Sequence, residues 1–494
     1  MNPRKYLVFA VLVAAVSLSS CSGVKNRCVT NCVVNGDALL SVSISDTPPA
    51  NTTVVSFTLP IVGISLTSSS GSQVSVFSTG TAANFELTRL QSDSDVVVTN
   101  ASVAAGTYTA VNVTVGAASG TFINNSGAAV GSCAAGTPFR VCAIPNGVTT
   151  TITFTFPAGS ALVLNNGAHQ WLDLDFNYNN AIVTTSGIGI DMQQSGVLTA
   201  STTVPTGIPS GDFANVDDFT GRVTAVSTSS ITLSSTVRGS LTATINGSTQ
   251  VFDPQSPAQC SGGATLACIQ VGSIISLQGV LTNTGVIVAT SLDVIDSSKT
   301  PVDEVEGTIY PSNCNGGSNF GMILSDSSIT TGGSPLASSS FGTGICLTIS
   351  PTATSAVDFG ILTGQPGLPA TNGGFSTVGD LLAGQTIRAK VTGAATGTNG
   401  INATATALIL RFSRLTGTVG TVSGPVFGIN GLPTYITAFT VPPSVQTYTN
   451  ATLFEGAANA GGLASGGTVS ISALFYNPIG GPVQALQAAK VRQH

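Results

Sequence analysis

The stretch GAHQWLDLDFNYNN (167–180) gathers much of the chain's reactive chemistry. His169, one of two histidines, is followed by Asp173 and Asp175 at a two-residue step. An imidazole oriented by a carboxylate can act as a general base, but no serine or cysteine stands close in sequence to serve as nucleophile. Asp173, Asp175, Asn177 and Asn179 also have the spacing that opens an EF-hand loop. That loop needs glycine at its sixth position and glutamate at its twelfth, where this chain has Tyr178 and Thr184. Strand alternation accounts for the run better. It would turn Leu172, Leu174, Phe176 and Tyr178 to a core and the Asp and Asn side chains to solvent. Asp173 and Asp175 are therefore weak ligand or metal candidates. Asp46 is a third, although an aspartate before Pro48-Pro49 is expected to bond its own turn. No G-x-S-x-G, H-E-x-x-H or P-loop occurs. GIGIDM (187–192) lacks the third glycine of a dinucleotide fingerprint, and DSD (93–95) and VDEVE (302–306) read as solvated acids. No catalytic residue, metal site or cofactor is assigned.

The elements that must position these residues read as strands. ALLSVSIS (38–45), TITFTF (151–156), SITLSS (230–235) and TVSISALF (468–475) alternate apolar and polar residues. Val, Ile, Thr and Phe fill the runs, and 57 Gly and 23 Pro punctuate the chain. The expected fold is all-β. A β-sandwich-like N-terminal domain spans 36–200, and STTVPTGIPSGDFANV (201–216) reads as a linker. Beyond it a pattern recurs. VTAV-type openings, FTGRVTAV (219–226), VEGTIYPS (305–312) and LTGTVGTV (415–422), precede closing segments at 269–296, 381–412 and 463–493. In each closing segment a glycine (Gly272, Gly384, Gly467) leads an alternating strand, then a turn, then an alanine-bearing strand. Three small β-barrel modules are expected over 217–298, 299–414 and 415–494.

Three resemblances rest on four stretches. Arg4 and Lys5, the apolar run from Tyr6 to Val16 and Leu18-Ser19-Ser20-Cys21 resemble a signal peptide ending in the lipobox of bacterial lipoproteins. The resemblance implies cleavage after residue 20, acylation of Cys21, a tether over 21–35 and a place in the cell envelope. Ser22 after the cysteine favours the outer membrane or cell surface. The segment 271–289 resembles an uncharacterised bacterial small-barrel domain with the pattern V-G-x-x-V-x-V-x-G-x-L-x-x-x-G-x-x-x-A. VSISDTPP (42–49) and VAAGTYTAVNVTV (103–115) resemble an uncharacterised lipoprotein domain of the TDAP/PAGTYT type, with Thr47 in place of alanine and Ala104 in place of proline. Neither domain family brings an activity with it.

With Cys21 lipidated, eight of nine cysteines remain, in four local couples: Cys28 with Cys32, Cys133 with Cys142, Cys260 with Cys268, and Cys314 with Cys346. An even set in an exported chain points to disulfides. A zinc site would need tighter cysteine clusters or neighbouring histidines.

Only 7% of residues are charged and the formal net charge is −6, against about 25% charged in typical domains. Nucleic-acid binding needs a basic patch and is not expected. The expected partners are the membrane, through the lipid anchor, and an extracellular polymer or surface protein. The function expected is non-catalytic: display of β-modules for adhesion or for ligand or carbohydrate binding. The alternatives are a self-associating subunit of a fibre or coat, and a hydrolase with no sequence signature. The modules are expected to stand end to end as a stalk on the order of 120 Å long, with the N-terminal domain nearest the lipid.

Overall fold

The computed structural model describes residues 37–50, 52–136, 140–184, 187–252, 266–296, 302–310, 319–349, 358–361, 368, 374–397, 400–433, 435–436, 443–476 and 485–494. Its regular structure is nearly all strand, as expected for an all-β chain. In the N-terminal domain, a four-stranded sheet runs in the order Leu198–Ser201, His169–Phe176, Asp37–Asp46, Asp95–Ala104. A seven-stranded sheet centres on Val54–Ser68 and Gly106–Val115. Leu40, Val42, Leu172 and Leu174 from the first sheet share one core with Phe57, Leu59, Val111 and Val113 from the second. That is a sandwich, because each sheet buries one face of its alternating strands against the other.

Each of the three later sheets has the same path. In the first barrel it runs Gly239–Thr244, Ser230–Ser235, Asp212–Val226, Ile274–Thr282, Ile287–Asp296, with Gly239–Thr244 pairing back onto Ile287–Asp296. The ring of five is thereby closed, which removes its open edges. The short strand Gln250–Phe252 adds to the same last strand. The second barrel repeats this with Gly344–Ile349 against Gly400–Arg411, and the third with Ser444–Gln446 against Ala485–Gln493.

The shared sequence signature has a structural cause. Gly221, Gly307 and Gly417 each sit where the neighbouring strand's backbone comes too close for a side chain. A Cβ there would meet Ser234 O at 2.7 Å, Ile323 O at 2.0 Å or Asn430 O at 2.5 Å. The glycine ahead of the closing hairpin is Gly272 in the first barrel and Gly384 in the second, with φ of +99° and +91°. In the third barrel this place belongs to Gly466 (φ +77°), not to Gly467. Gly466 N donates to Val419 O just as Gly272 N donates to Val223 O and Gly384 N to Ile309 O.

The segment read as a linker is largely structured. The first barrel's leading strand begins at Asp212, and Gly456 N of the third barrel donates to Thr206 O. The end-to-end stalk is not what forms. The N-terminal domain touches all three barrels, through Asn100 to Thr284 and Gly285, Thr121 to Gly342, and Gln91 to Thr416. The barrels also touch one another: Thr236 N donates to Ser327 O, Gln385 Nε2 to Phe475 O, and Asn215 Nδ2 to Glu455 Oε1.

Where the four modules meet lies a buried ionic hub. Arg89, on the turn Leu87–Arg89 of the N-terminal domain, reaches Asp217 of the first barrel and Glu306 of the second, both at 2.9 Å. Arg414 lies on the third barrel's leading strand Ser413–Ser423, which begins ahead of the expected bound at 415, and it pairs with Asp217 at 2.5 Å and also with Asp218. Arg411 joins Asp218 at 2.5 Å, Arg388 joins Glu304 at 2.6 Å, and Arg238 joins Asp217 at 2.9 Å and lies 3.9 Å from Asp326. Five guanidinium groups thus face five carboxylates. The chain has ten arginines, so half of them serve this hub. Burial alone would raise Glu306, yet Arg411, Arg89 and Arg388 outweigh it and hold its carboxyl down at about 2. Only 7% of residues are charged. The structure adds that much of the charge present is inside, where each group needs a partner.

Candidate functional site

The parallel pairing of Asp37–Asp46 with His169–Phe176 sets Ser43 beside Asp173 and Ser45 beside Asp175. Hydroxyls from one strand therefore line up with carboxylates from the other. Ser43 Oγ and Ser45 Oγ each donate to Asp173 at 2.6 Å, and Thr47 Oγ1 donates to Asp175 at 2.7 Å. Trp171 Nε1 donates to Ser43 Oγ at 2.8 Å. As the alternation required, Leu172, Leu174 and Phe176 are fully buried on the opposite face; Tyr178 is buried too, but from the helical turn Tyr178–Ala181 that follows the strand.

The carboxylate face is not open to solvent as expected. The last strand of the third barrel, with Arg492, Gln493 and His494, and its short strand Leu453–Glu455 lie across it. Phe213 and Ala214 of the first barrel close one side, and Thr199, Ser201, Thr203 and Pro205 another. The result is a cleft of about 350 Å³ between three modules, within the size range of small-molecule sites. Trp171 and Phe213 stack with ring centroids 5.8 Å apart and form its aromatic wall. Arg492 is tied to Glu455 at 2.6 Å and donates to Ser94 Oγ. His494 Nδ1 lies 3.2 Å from Thr47 Oγ1, and its Nε2 lies 2.7 Å from Ser470 Oγ.

Burial and the charge of Asp173 push the Asp175 carboxyl up to about 6, against the hydrogen bonds from Thr47 and Ser45. Burial also raises Asp173, opposed by Ser43, Ser45 and Arg492. Burial and the Arg492 charge push His494 down to about 3, so its ring is neutral.

Asp46 lies outside the cleft. It is fully buried and accepts from Tyr178 N at 3.2 Å, so it anchors a distant helical turn, not its own. Its second oxygen has no hydrogen-bond partner, and burial holds its carboxyl well above the usual range. His169 is exposed, with Nδ1 3.1 Å from Asn100 Oδ1. Among the described residues no group of three or more His, Cys, Asp and Glu could hold a metal ion, and no helix is long and apolar enough to cross a membrane. Cys133 and Cys142 form a disulfide, and Cys268 and Cys346 are also disulfide-bonded. Cys21, Cys28, Cys32, Cys260 and Cys314 lie outside the described residues.

His494, Arg492, Glu455 and Phe213 were missed as site residues. Nothing local marks them, since each reaches the cleft only when its barrel docks. Residues 37–196 match a domain of unknown function (DUF4382), and residues 220–293 match another (DUF5666). The first match covers most of the sandwich and the second most of the first barrel. No curated protein matches the chain.

Proposed function

We propose that this chain is a lipid-anchored protein of the cell envelope, held through Cys21 at the outer membrane or cell surface, that binds a carbohydrate ligand without transforming it. The observation that carries the binding role is the cleft between the sandwich, the first barrel and the third. It combines an aromatic wall with carboxylates and a rim of hydroxyls, the groups that recognise polyhydroxylated molecules. The non-catalytic reading is supported by the hydroxyl partners of Asp173 and Asp175, which hold both carboxylates in place. A glycan array probed with wild type and with Asp173→Asn tests the role. Array signals that do not change in the variant would exclude the cleft as the binding site. The anchor is tested separately: Cys21→Ser should leave the membrane fraction.

A hydrolytic reading is favoured by one observation. Ser45 Oγ contacts Asp173 at 2.6 Å and Asp175 at 3.4 Å, so the two carboxyl groups share a neighbour, and Asp175 stands at about 6. Paired carboxyls with separated protonation are what glycoside hydrolysis uses. Release of reducing sugar from an array hit, lost in Asp175→Asn, would establish that reading over simple binding.

A further inference from the structure

The cleft contains a charge imbalance that its own residues leave uncorrected. Asp173 and Asp175 receive only neutral hydroxyl donors, from Ser43, Ser45 and Thr47. Arg492, the cation facing them, is already committed. Its Nε donates to Glu455 Oε2 at 2.7 Å, its Nη1 to Leu90 O at 3.3 Å and its Nη2 to Ser94 Oγ at 2.9 Å. His494 brings no charge, and both of its ring nitrogens lie against hydroxyls. The hub treats carboxylates differently, giving each of Asp217, Asp218, Glu304 and Glu306 a guanidinium within 3 Å. Two carboxylates with no ion-pair contact among the described residues thus share a cleft of about 350 Å³ with the stacked Trp171 and Phe213 rings. A cation near aromatic faces and carboxylates gains from both.

We infer that the ligand is a saccharide carrying a free ammonium group. An amino sugar would set its ammonium against Asp173 and Asp175 and an apolar ring face against the Trp171–Phe213 wall. The inference rests on the cleft being the carbohydrate site. An amine masked by acetylation loses the charge and adds bulk where the carboxylates stand, so the cleft discriminates against it.

Isothermal titration of the full chain in mild detergent tests this with D-glucosamine, D-glucose and N-acetyl-D-glucosamine at pH 7.0 and low salt. Glucosamine is expected to bind at least tenfold more tightly than either neutral sugar. That preference should collapse in Asp173→Asn/Asp175→Asn, whose folding is checked by its melting curve. A check without any variant uses wild type at pH 4.5. There Asp175 takes up a proton while the ligand keeps its charge, so the preference should fall. The other titratable or charged groups facing Asp175 are Asp46, Asp173, Glu455, Arg492 and His494, and His494 stays neutral at both pH values. Equal or tighter binding of glucose or N-acetylglucosamine overturns the inference and leaves the cleft as a neutral-sugar site. A glucosamine preference that survives in the double variant overturns it by placing the amine elsewhere. No binding of any of the three overturns the cleft reading and this inference together.

Discussion

Replacing Arg89 with methionine should separate the sandwich from the barrels before either unfolds. The guanidinium is 3% exposed and bonds Asp217 and Glu306 at 2.9 Å each, with a further bond to Asp218 O at 3.2 Å. Methionine keeps much of the volume but leaves carboxylates buried with one cation fewer. Breaking a buried pair from one side costs about 3–5 kcal/mol, because the surviving charge is left uncompensated. The loss falls on the junction, since most of each module's core comes from its own strands, although Val96 and Trp171 of the sandwich join the first barrel's core and Val55 and Ile123 the third's. The chain carries a built-in reporter. Its single tryptophan, Trp171 of the sandwich, stacks on Phe213 of the first barrel. Urea titration followed by tryptophan emission should show an early transition in Arg89→Met that far-ultraviolet circular dichroism does not. Wild type should give coincident curves. Arg140→Met, at an exposed position, is the control and should stay within about 0.5 kcal/mol. Adding Glu306→Gln to Arg89→Met should recover part of the loss by removing an orphaned charge. A loss below about 1 kcal/mol, or coincident curves in the variant, would refute the hub as the junction's main tie.

Asp293 is buried with neither oxygen hydrogen-bonded, and burial pushes it up to about 7 despite Arg411. Asp293→Asn should therefore stabilise the protein at pH 8, by on the order of 3–4 kcal/mol from the size of that shift, and make little difference at pH 4; chemical denaturation at the two pH values measures both. The pH profile of stability should be unusual in shape. Asp293 and Asp175 have raised folded-state values, so stability should increase as pH falls from about 7 towards 4, offset in part by His494, whose value is depressed to about 3 and which loses stability as pH falls below 6.5. Glu306 is depressed to about 2, and its contribution is full above 4.5 and lost as pH falls through 2. A melting-temperature maximum near pH 4–5 is expected, and a maximum above pH 7 would count against these assignments. Gly307→Ala forces a Cβ to 2.0 Å from Ile323 O; it should lower stability by several kcal/mol, whereas Gly332→Ala, with open space around it, should be nearly silent in the same melt.

The strands and the threefold repeat were legible because alternation is local and the repeat's glycines answer to local backbone contacts. Gly307 could be read as part of a recurring motif without knowledge of its neighbour Ile323. Asp173 and Asp175 were legible as a carboxylate row, and the buried side of their strand was read correctly. What covers them was not legible. Ser43 and Asp173 are 130 positions apart and meet through a parallel pairing, and no alternation pattern announces which strands will be neighbours. His494 and Asp175 meet only through the docking of the third barrel. The docking itself was misread as a row of separate modules for a similar reason. Charge scarcity describes how many ions a chain has, not where they go. DSD and VDEVE look like solvated acids until Lys490 reaches Asp93 and Arg89, Arg388 and Arg411 reach Glu304 and Glu306.

The three barrels are built alike but cannot trade places. Three residues before the tight glycine the first barrel has Asp218, the second Glu304 and the third Arg414. One residue before it stand Thr220, Glu306 and Thr416. Arrays of repeats ordinarily gain and lose copies by recombination at little cost, because each copy contacts only its neighbours. Here deleting the third barrel would strip Asp217 and Asp218 of Arg414, and duplicating the second would bring a second Glu306 with no second Arg89 to meet it. The hub therefore acts as a parity check on inheritance. It ties each of these three barrels to its own place along the chain, because a shuffled array would leave hub charges unpaired.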